Sequence, residues 1–386
     1  MALVLTETQT EFRRSVRALL HANSPVSEHR RLRNEADPDG LSRKLWRQMA
    51  TLGCLGLDTD PDDTGDSTGT ESELGGMAEL GLVLEQCGRQ LAATPMISCI
   101  LLSSRLLTEL GTKRQRALLT EVATGDLLIA TAYQEGSRHN PEHVDTVAQL
   151  LGDQLSLSGE KRFVIDGHIA DWLLVSANIE GLSEPSLGIL LVKADSPGVD
   201  LTRTTLIDGR NSATVRLNDV KLPRNAVLGD VSPPPHHATV LEEVLARAAL
   251  AQAAEMMGIA AELFERTQEH LRTREQFGQK LASFQALKHR MAHWYIELEL
   301  SRSVLMDANS GVDEGRDDWM SLAHHGKARL GRLCSLATAE AVQLHGGIGV
   351  TDESDIGLFL KRAKVAELTL GDSSFHTDAY ARRLGI

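Results

Sequence analysis

The sequence predicts an α+β chain whose segments run helical, then β, then helical. Three observations lead there. Apolar residues recur at three- and four-residue spacing through most of the first third. The period shifts to short alternating or apolar runs near Leu127. After Pro233-Pro234-Pro235, which neither a helix interior nor a central strand tolerates, the pattern is helical to the end. The boundaries expected from these changes are 1–125 for an N-terminal helical domain, 126–232 for a middle β domain and 233–386 for a C-terminal helical domain.

Taken in order, the run Glu11 to Leu20 and the group Leu45, Trp46, Met49 and Leu52 carry helical spacing. Small and acidic residues from Asp58 to Gly76 make a loop. Asp58, Asp60 and Asp62 alternate as in a calcium loop, but that pattern requires Gly where the chain has Asp63 and a carboxylate where it has Gly69, so a solvated loop is expected. Helical spacing resumes from Met77 through Gly125. Strands are expected over 127–133, 146–151, 154–157, 172–175, 187–192 and 213–217, with Gly152-Asp153 as a tight hairpin turn. Long helices are expected over 241–273, 283–309 and 319–345, and two shorter ones follow Thr351.

A chain of 386 residues has room for two or three domains, and 42% hydrophobic with 24% charged residues is ordinary for a soluble globular protein. The formal charge of −13 argues against a nucleic-acid partner, whose phosphates need a basic footprint. Glu7 and Glu11 interrupt the start of the chain before any long apolar run, so neither a signal peptide nor a membrane span is expected, and the expected location is cytoplasmic. Cys54, Cys87, Cys99 and Cys334 are scattered, with no C-x-x-C pair, and read as buried thiols. His289 and His293 are four apart on one helical face but have no third ligand in view, so no metal site is expected. Gly371-Asp372-Ser373-Ser374 does not have the spacing of the G-x-S-x-G nucleophile elbow.

Two motifs are more specific. Arg274-Glu275-Gln276-Phe277-Gly278-Gln279-Lys280-Leu281, followed by Ser283-Phe284-Gln285-Ala286, joins the first two long C-terminal helices, and Gln343-Leu344-His345-Gly346-Gly347-Ile348-Gly349 closes the third. At a helix C-terminus Arg274 complements the dipole and can fork onto a pyrophosphate. Gly346-Gly347 lets backbone approach a phosphate with no Cβ in the way. With Leu157 to Val164 in the β segment and Asn218 to Pro223 at its exit, these motifs resemble the acyl-CoA dehydrogenase family over essentially the whole chain.

The resemblance implies that family's fold: an N-terminal helical domain, a barrel-like β domain and a C-terminal four-helix bundle. It implies FAD as cofactor and removal of hydrogen from the α and β carbons of an acyl-CoA thioester, in fatty-acid or sterol degradation. In the family the arginine matched by Arg274 reaches the FAD of a neighbouring subunit. Phe277 would pack on the adenine end with Gln285 nearby, and Gln343, Gly346 and Gly347 would grip the cofactor. Tyr133-Gln134 and Phe163-Val164-Ile165 match the two strand segments that line the isoalloxazine. Phe163 stands where tryptophan is common, and Gln134 and Ile165 stand where hydroxyl residues often bond the flavin. An electron-transferring flavoprotein and a homo- or heterotetramer, or a dimer, are the implied partners.

One position departs from the family pattern. Counting on from Gln343 without a gap, the family's usual catalytic glutamate falls at Leu370. The family's second position for that base, on the long helix before Arg274, is Ala248; the arginine that often follows it is replaced by Ala249, with Arg247 beside it as a substrate contact. Neither Leu370 nor Ala248 can take a proton, although the backbone N–H at 370 survives the change. The carboxylates that could replace the base are Asp372, favoured for its nearness, and Glu242, Glu243 or Glu255. Three readings stay open: a subunit paired with a base-bearing partner, a self-sufficient enzyme using Asp372 or another carboxylate, and an assembly subunit without chemistry. Ala248 and Ala249 would leave room for a branched, long or polycyclic acyl chain.

Overall fold

The computed structural model describes residues 4–58, 74–181, 186–229 and 237–386. The calcium-loop reading of Asp60, Asp62, Asp63 and Gly69 lies outside these residues. The described chain runs α1 Glu7–Asn23, α2 Val26–Asn34, α3 Arg43–Thr51 and α4 Met77–Gln90, then a π-helical segment Met96–Ser104 and the short α5 Arg105–Leu110, α6 Lys113–Arg116 and α7 Leu118–Ala123. Strands β1 Ile129–Ala132, β2 Val147–Leu151, β3 Gln154–Ile165, β4 Trp172–Glu180, β5 Ser186–Lys193, β6 Val199–Thr205 and β7 Asn211–Pro223 follow. Helix α8 is His237–Thr273, a hairpin pairs β8 Glu275–Gln276 with β9 Gln279–Lys280, and α9 Gln285–Asp313, α10 Trp319–His345, α11 Ile356–Leu368 and α12 Ser373–Leu384 complete the chain. This is the helical, β, helical order expected. Helix α10 has the expected bounds, and the β2–β3 hairpin turns at Gly152, with Leu151 opposite Gln154.

By internal packing the chain divides into two compact units, Met1–Arg31 with Gly76–Ala92 and Ala249–Ile386, and Leu32–Gly75 with Ala93–Ala248. The second unit holds the seven-stranded sheet, ordered β1-β4-β2-β3-β7-β6 with β5 on the other flank of β4. β4 runs parallel to β1 and β2, and the remaining pairs are antiparallel. Alternate residues of β3 and β7, among them Leu155, Leu157, Val215 and Leu217, join Leu173, Val175 and Leu190 in its core. β6 was not expected. Its sequence Val199-Asp200-Leu201-Thr202-Arg203-Thr204-Thr205 buries none of its side chains fully, as suits an edge strand paired only with β7. All four cysteines are buried free thiols, as expected, and burial pushes Cys54, Cys99 and Cys334 up to about 12, which leaves them unreactive near neutrality.

In the first unit, α1 opens on a capping box between Thr6 and Gln9. α4 begins after Gly76, which has no capping side chain, and Asp313 from the end of α9 takes that role by accepting from the N–H groups of Met77 (2.6 Å) and Ala78 (2.9 Å). α4 and α8 then cross at backbone contact: a Cβ on Gly88 would stand 2.0 Å from the carbonyl oxygen of Glu255, and one on Gly258 would stand 1.9 Å from that of Glu85. Around this crossing Arg302 binds Glu85, and Arg89 binds Glu262 and Glu265. Helix α8 is long and apolar enough to cross a membrane, but 94% of its most apolar window is buried in the fold.

Because the crossing admits no side chain, Gly258→Ala should destabilise the protein by roughly 3 kcal/mol or more, the range of overpacking against immobile backbone. Chemical denaturation against the native protein measures it. The expected result is a lower unfolding midpoint; an unchanged midpoint would show that the helices can separate freely.

Candidate functional site

In the first unit, α8 ends at Thr273 and the next residue, Arg274, donates its backbone N–H to the carbonyl of His270, so its guanidinium sits at the negative end of the helix dipole. The hairpin beyond it turns on Phe277 and Gly278, both at positive φ, as a two-residue loop between right-twisted strands requires. Arg274 has no carboxylate partner among the described residues, whereas Arg290 on α9 is held by Glu340 at 2.7 Å. Helix α10 ends at His345, where Gly346 turns the chain at φ 66°. Arg274, Gln343 and Gly346 thereby line one cleft of about 310 Å³, together with His270, Arg290 and His345.

The two histidine rings stack with centroids 4.3 Å apart. Burial, followed by the charges of His345 and Arg274, holds His270 below the ordinary imidazole range. Burial, with a smaller push from Arg266, lowers His345 as well. Both rings are therefore neutral near pH 7, and the positive charge in the cleft rests on the arginines. A Cβ on either Gly346 or Gly347 would meet nothing within 4 Å, so the backbone there is open to a close-lying group. An unpaired guanidinium, a second cation and an uncovered glycine backbone in one cleft fit a pyrophosphate. Phe277, 89% exposed at the hairpin tip, and Gln285, exposed at the start of α9, lie outside the cleft lining.

The second unit holds the residues expected along the flavin ring. β3 carries a bulge between Lys161 and Val164, and Phe163 sits in it at φ 52° with 46% of its surface exposed. A bulky residue in the left-handed region is strained, and Phe163 keeps that conformation at an exposed position. Gln134 binds back to the carbonyl of Gly136, and its own carbonyl accepts from the N–H of Arg162 at 2.7 Å. Tyr133 and Val164 are buried, the Tyr133 hydroxyl lying 3.2 Å from His139 Nδ1, so neither offers its side chain to a ligand. Arg247, expected to meet substrate, instead places Nη2 2.6 Å from Oδ1 of the buried Asp58, to which Arg105 also reaches at 3.4 Å. Glu242 is exposed and Glu243 half-buried.

Back in the first unit, Leu370 is 3% exposed and has φ 61°. It follows Thr369 at φ −69°, ψ 132°, the pair of conformations that makes a type II turn after α11. That turn favours glycine at Leu370's place, and leucine there costs on the order of 1 kcal/mol or more. The Leu370 carbonyl lies 2.9 Å from His376 Nε2. Its N–H has no acceptor among the described residues.

The carboxylates of this unit near 370 in sequence, and Glu255, already have partners. Asp372 is the N-cap of α12 and accepts from the N–H of Phe375 at 2.8 Å. Glu367 accepts from the N–H of Ser373 and from Lys364, and these contacts hold its carboxyl below the usual range despite burial. Glu255 is fully buried, with one oxygen 3.3 Å from Arg362 and the other on Gln252. His289 and His293 are both exposed and belong to no potential metal-binding group among the described residues.

Comparison with known proteins agrees with the motifs. The family model of the acyl-CoA dehydrogenase N-terminal domain matches residues 6–126, and that of the acyl-CoA dehydrogenase C-terminal domain matches residues 238–385. The chain belongs to the acyl-CoA dehydrogenase family. It is 29% identical over 370 residues to acyl-CoA dehydrogenase IpdE2 of Mycolicibacterium smegmatis, covering 95% of this chain and 96% of that one. It is 24% identical over 349 residues to the mitochondrial short/branched chain specific acyl-CoA dehydrogenase of Bos taurus, covering 89% and 78%. A solved structure titled Tcur3481-Tcur3483 steroid ACAD G363A variant superposes with a TM-score of 0.84 at 28% identity, covering 98% of each chain. The family is one of FAD-dependent oxidoreductases.

His270, Arg290 and His345 are the cleft residues that sequence reading missed. His345 sits inside the quoted glycine motif and was the one open to notice. Arg274→Gln should weaken FAD binding about 10- to 100-fold, the size of one lost charge-assisted contact, with little change in thermal unfolding of the apoprotein because Arg274 is exposed. Fluorescence titration of the apoprotein with FAD checks this. Unchanged affinity would remove Arg274 from the site.

Proposed function

We propose that this chain is an FAD- and acyl-CoA-binding subunit of an acyl-CoA dehydrogenase that polarises the thioester but relies on a partner subunit for the proton-abstracting base. The observation that carries this is the Leu370 turn: a buried residue whose N–H has no acceptor among the described residues and whose side chain cannot accept a proton. A buried N–H left unpaired is costly, so the turn is complete only when an oxygen meets it. A thioester carbonyl gathering negative charge as its α-proton leaves is the group that such a donor stabilises most.

Arg274, Gln343 and the Gly346-Gly347 backbone would hold FAD phosphates, those of a neighbouring subunit's cofactor as the family resemblance implies for Arg274. Separately, Gln134 and exposed Phe163 would meet a flavin ring. Bound FAD supplies the hydride acceptor. The chain's own residues bind, orient and polarise. Asp372 caps α12, and Glu255 and Glu367 are engaged by buried or backbone partners, so none of these three carboxylates stands ready to take a proton. This disfavours the self-sufficient reading. The Tcur3481-Tcur3483 steroid ACAD, whose name joins two components, is among the similar structures, which supports a two-chain assembly and a bulky polycyclic or branched acyl group. An electron-transferring flavoprotein as the next electron carrier and a cytoplasmic location complete the proposal.

Anaerobic titration with a panel of acyl-CoA esters should leave the flavin of the isolated chain oxidised, and co-expression with a base-bearing partner should restore bleaching. Asp372→Asn, which keeps the helix cap, should leave the bleaching rate of the assembly unchanged. Full bleaching by the isolated chain, lost in Asp372→Asn, would establish the self-sufficient alternative instead.

A further inference from the structure

The Leu370 turn is gripped from one face of α10. His324, Lys327 and Gly331 follow each other at three- and four-residue spacing, so they form one stripe, and all three are buried. Lys327 Nζ donates to the carbonyl of Ala366 and lies 3.5 Å from that of Glu367, capping the end of α11 with a buried cation. Burial draws this lysine down to about 8. A Cβ on Gly331 would stand 2.0 Å from Ser373 Oγ, so α10 lies directly against the segment beyond the turn. His324 Nδ1 lies 2.8 Å from His376 Nδ1, and His376 Nε2 lies 2.9 Å from the Leu370 oxygen.

The proton positions follow from donor logic. A carbonyl only accepts, so His376 Nε2 carries hydrogen. Burial, reinforced by Arg383 and Arg382, holds His324 down to about 4 and keeps it neutral in the working range. With His376 neutral as well, its Nδ1 is bare and accepts the Nδ1–H of His324, and in that state each histidine holds one tautomer. The Thr369 N–H donates to the Val365 carbonyl at 2.9 Å, Lys327 holds the Ala366 carbonyl and His376 holds that of Leu370, so the backbone is pinned on both sides of the peptide that carries the Leu370 N–H.

We propose that His376, set in its tautomer by His324, is a positioning residue that aims the Leu370 N–H at the thioester carbonyl oxygen. The inference rests on the reading that a thioester binds at this turn.

The test compares two probes on the FAD-loaded protein by calorimetry: octanoyl-CoA, and S-octyl-CoA, the thioether that lacks only the carbonyl oxygen. The native protein should prefer the thioester. His376→Leu should erase most of that preference, about tenfold, while leaving thioether affinity nearly unchanged, and His376→Gln, which offers an N–H at a similar reach, should restore it. If His376→Leu does not fold, His324→Leu, which frees the tautomer but keeps His376, should reduce the preference by a smaller factor. Equal loss for both probes, or a preference that survives His376→Leu and His324→Leu, overturns the positioning role. No preference in the native protein overturns the thioester reading itself and the inference with it.

Discussion

The first unit depends on the backbone contact between α4 and α8. With no side chain at Gly88 or Gly258, Glu255 is brought against α4, its carbonyl oxygen at the Gly88 backbone and its carboxylate sealed inside with Arg362 and Gln252. A charge pair buried this completely is tolerated only with close geometry, and removing one member strands the other at several kcal/mol. Arg362 lies in α11, so the pair ties that helix to the long one, and α11 delivers the turn at Leu370. A packing constraint at two glycines is in this way transmitted to one amide.

Under the function proposed above, that amide carries one half of a division of labour within the chemistry. Proton abstraction beside a thioester and stabilisation of the resulting enolate-like oxygen are separate demands, met by a base and by hydrogen-bond donors. The donor comes from the backbone and tolerates any side chain at 370; the base comes from the side chain and does not. A chain can therefore lose one and keep the other without refolding the site. The cleft where we propose that the cofactor's pyrophosphate lies is a third piece, with Arg274 just beyond α8, Arg290 on α9 and open backbone at the end of α10.

Much of this was legible in the sequence. Helix α10 and the hairpin at Gly152 were read correctly because they are local: an unbroken helical period, and a glycine between two alternating runs. β6 was not, because threonine, arginine and aspartate leave an edge strand without an apolar alternation. Arg274 and Gln343 were found through motifs. The ion pair of Arg247 with Asp58 was not legible, since the two lie far apart in sequence, and Asp372 was weighed as a base although an aspartate just before a helical run is equally an N-cap signal. The pairing of His324 with His376 and the burial of Lys327 had no sequence signature, because each is a single residue whose meaning depends on a partner many turns away.

The most direct measurement is α-proton exchange. The FAD-loaded chain, without any partner, is incubated with octanoyl-CoA in deuterium oxide, and deuterium uptake at the α carbon is followed by mass spectrometry; no electron transfer is needed for the signal. A subunit that polarises the carbonyl but has no base should show uptake no faster than a buffer blank. Rapid exchange would contradict the account, because it would mean that a group on this chain removes the proton despite Leu370.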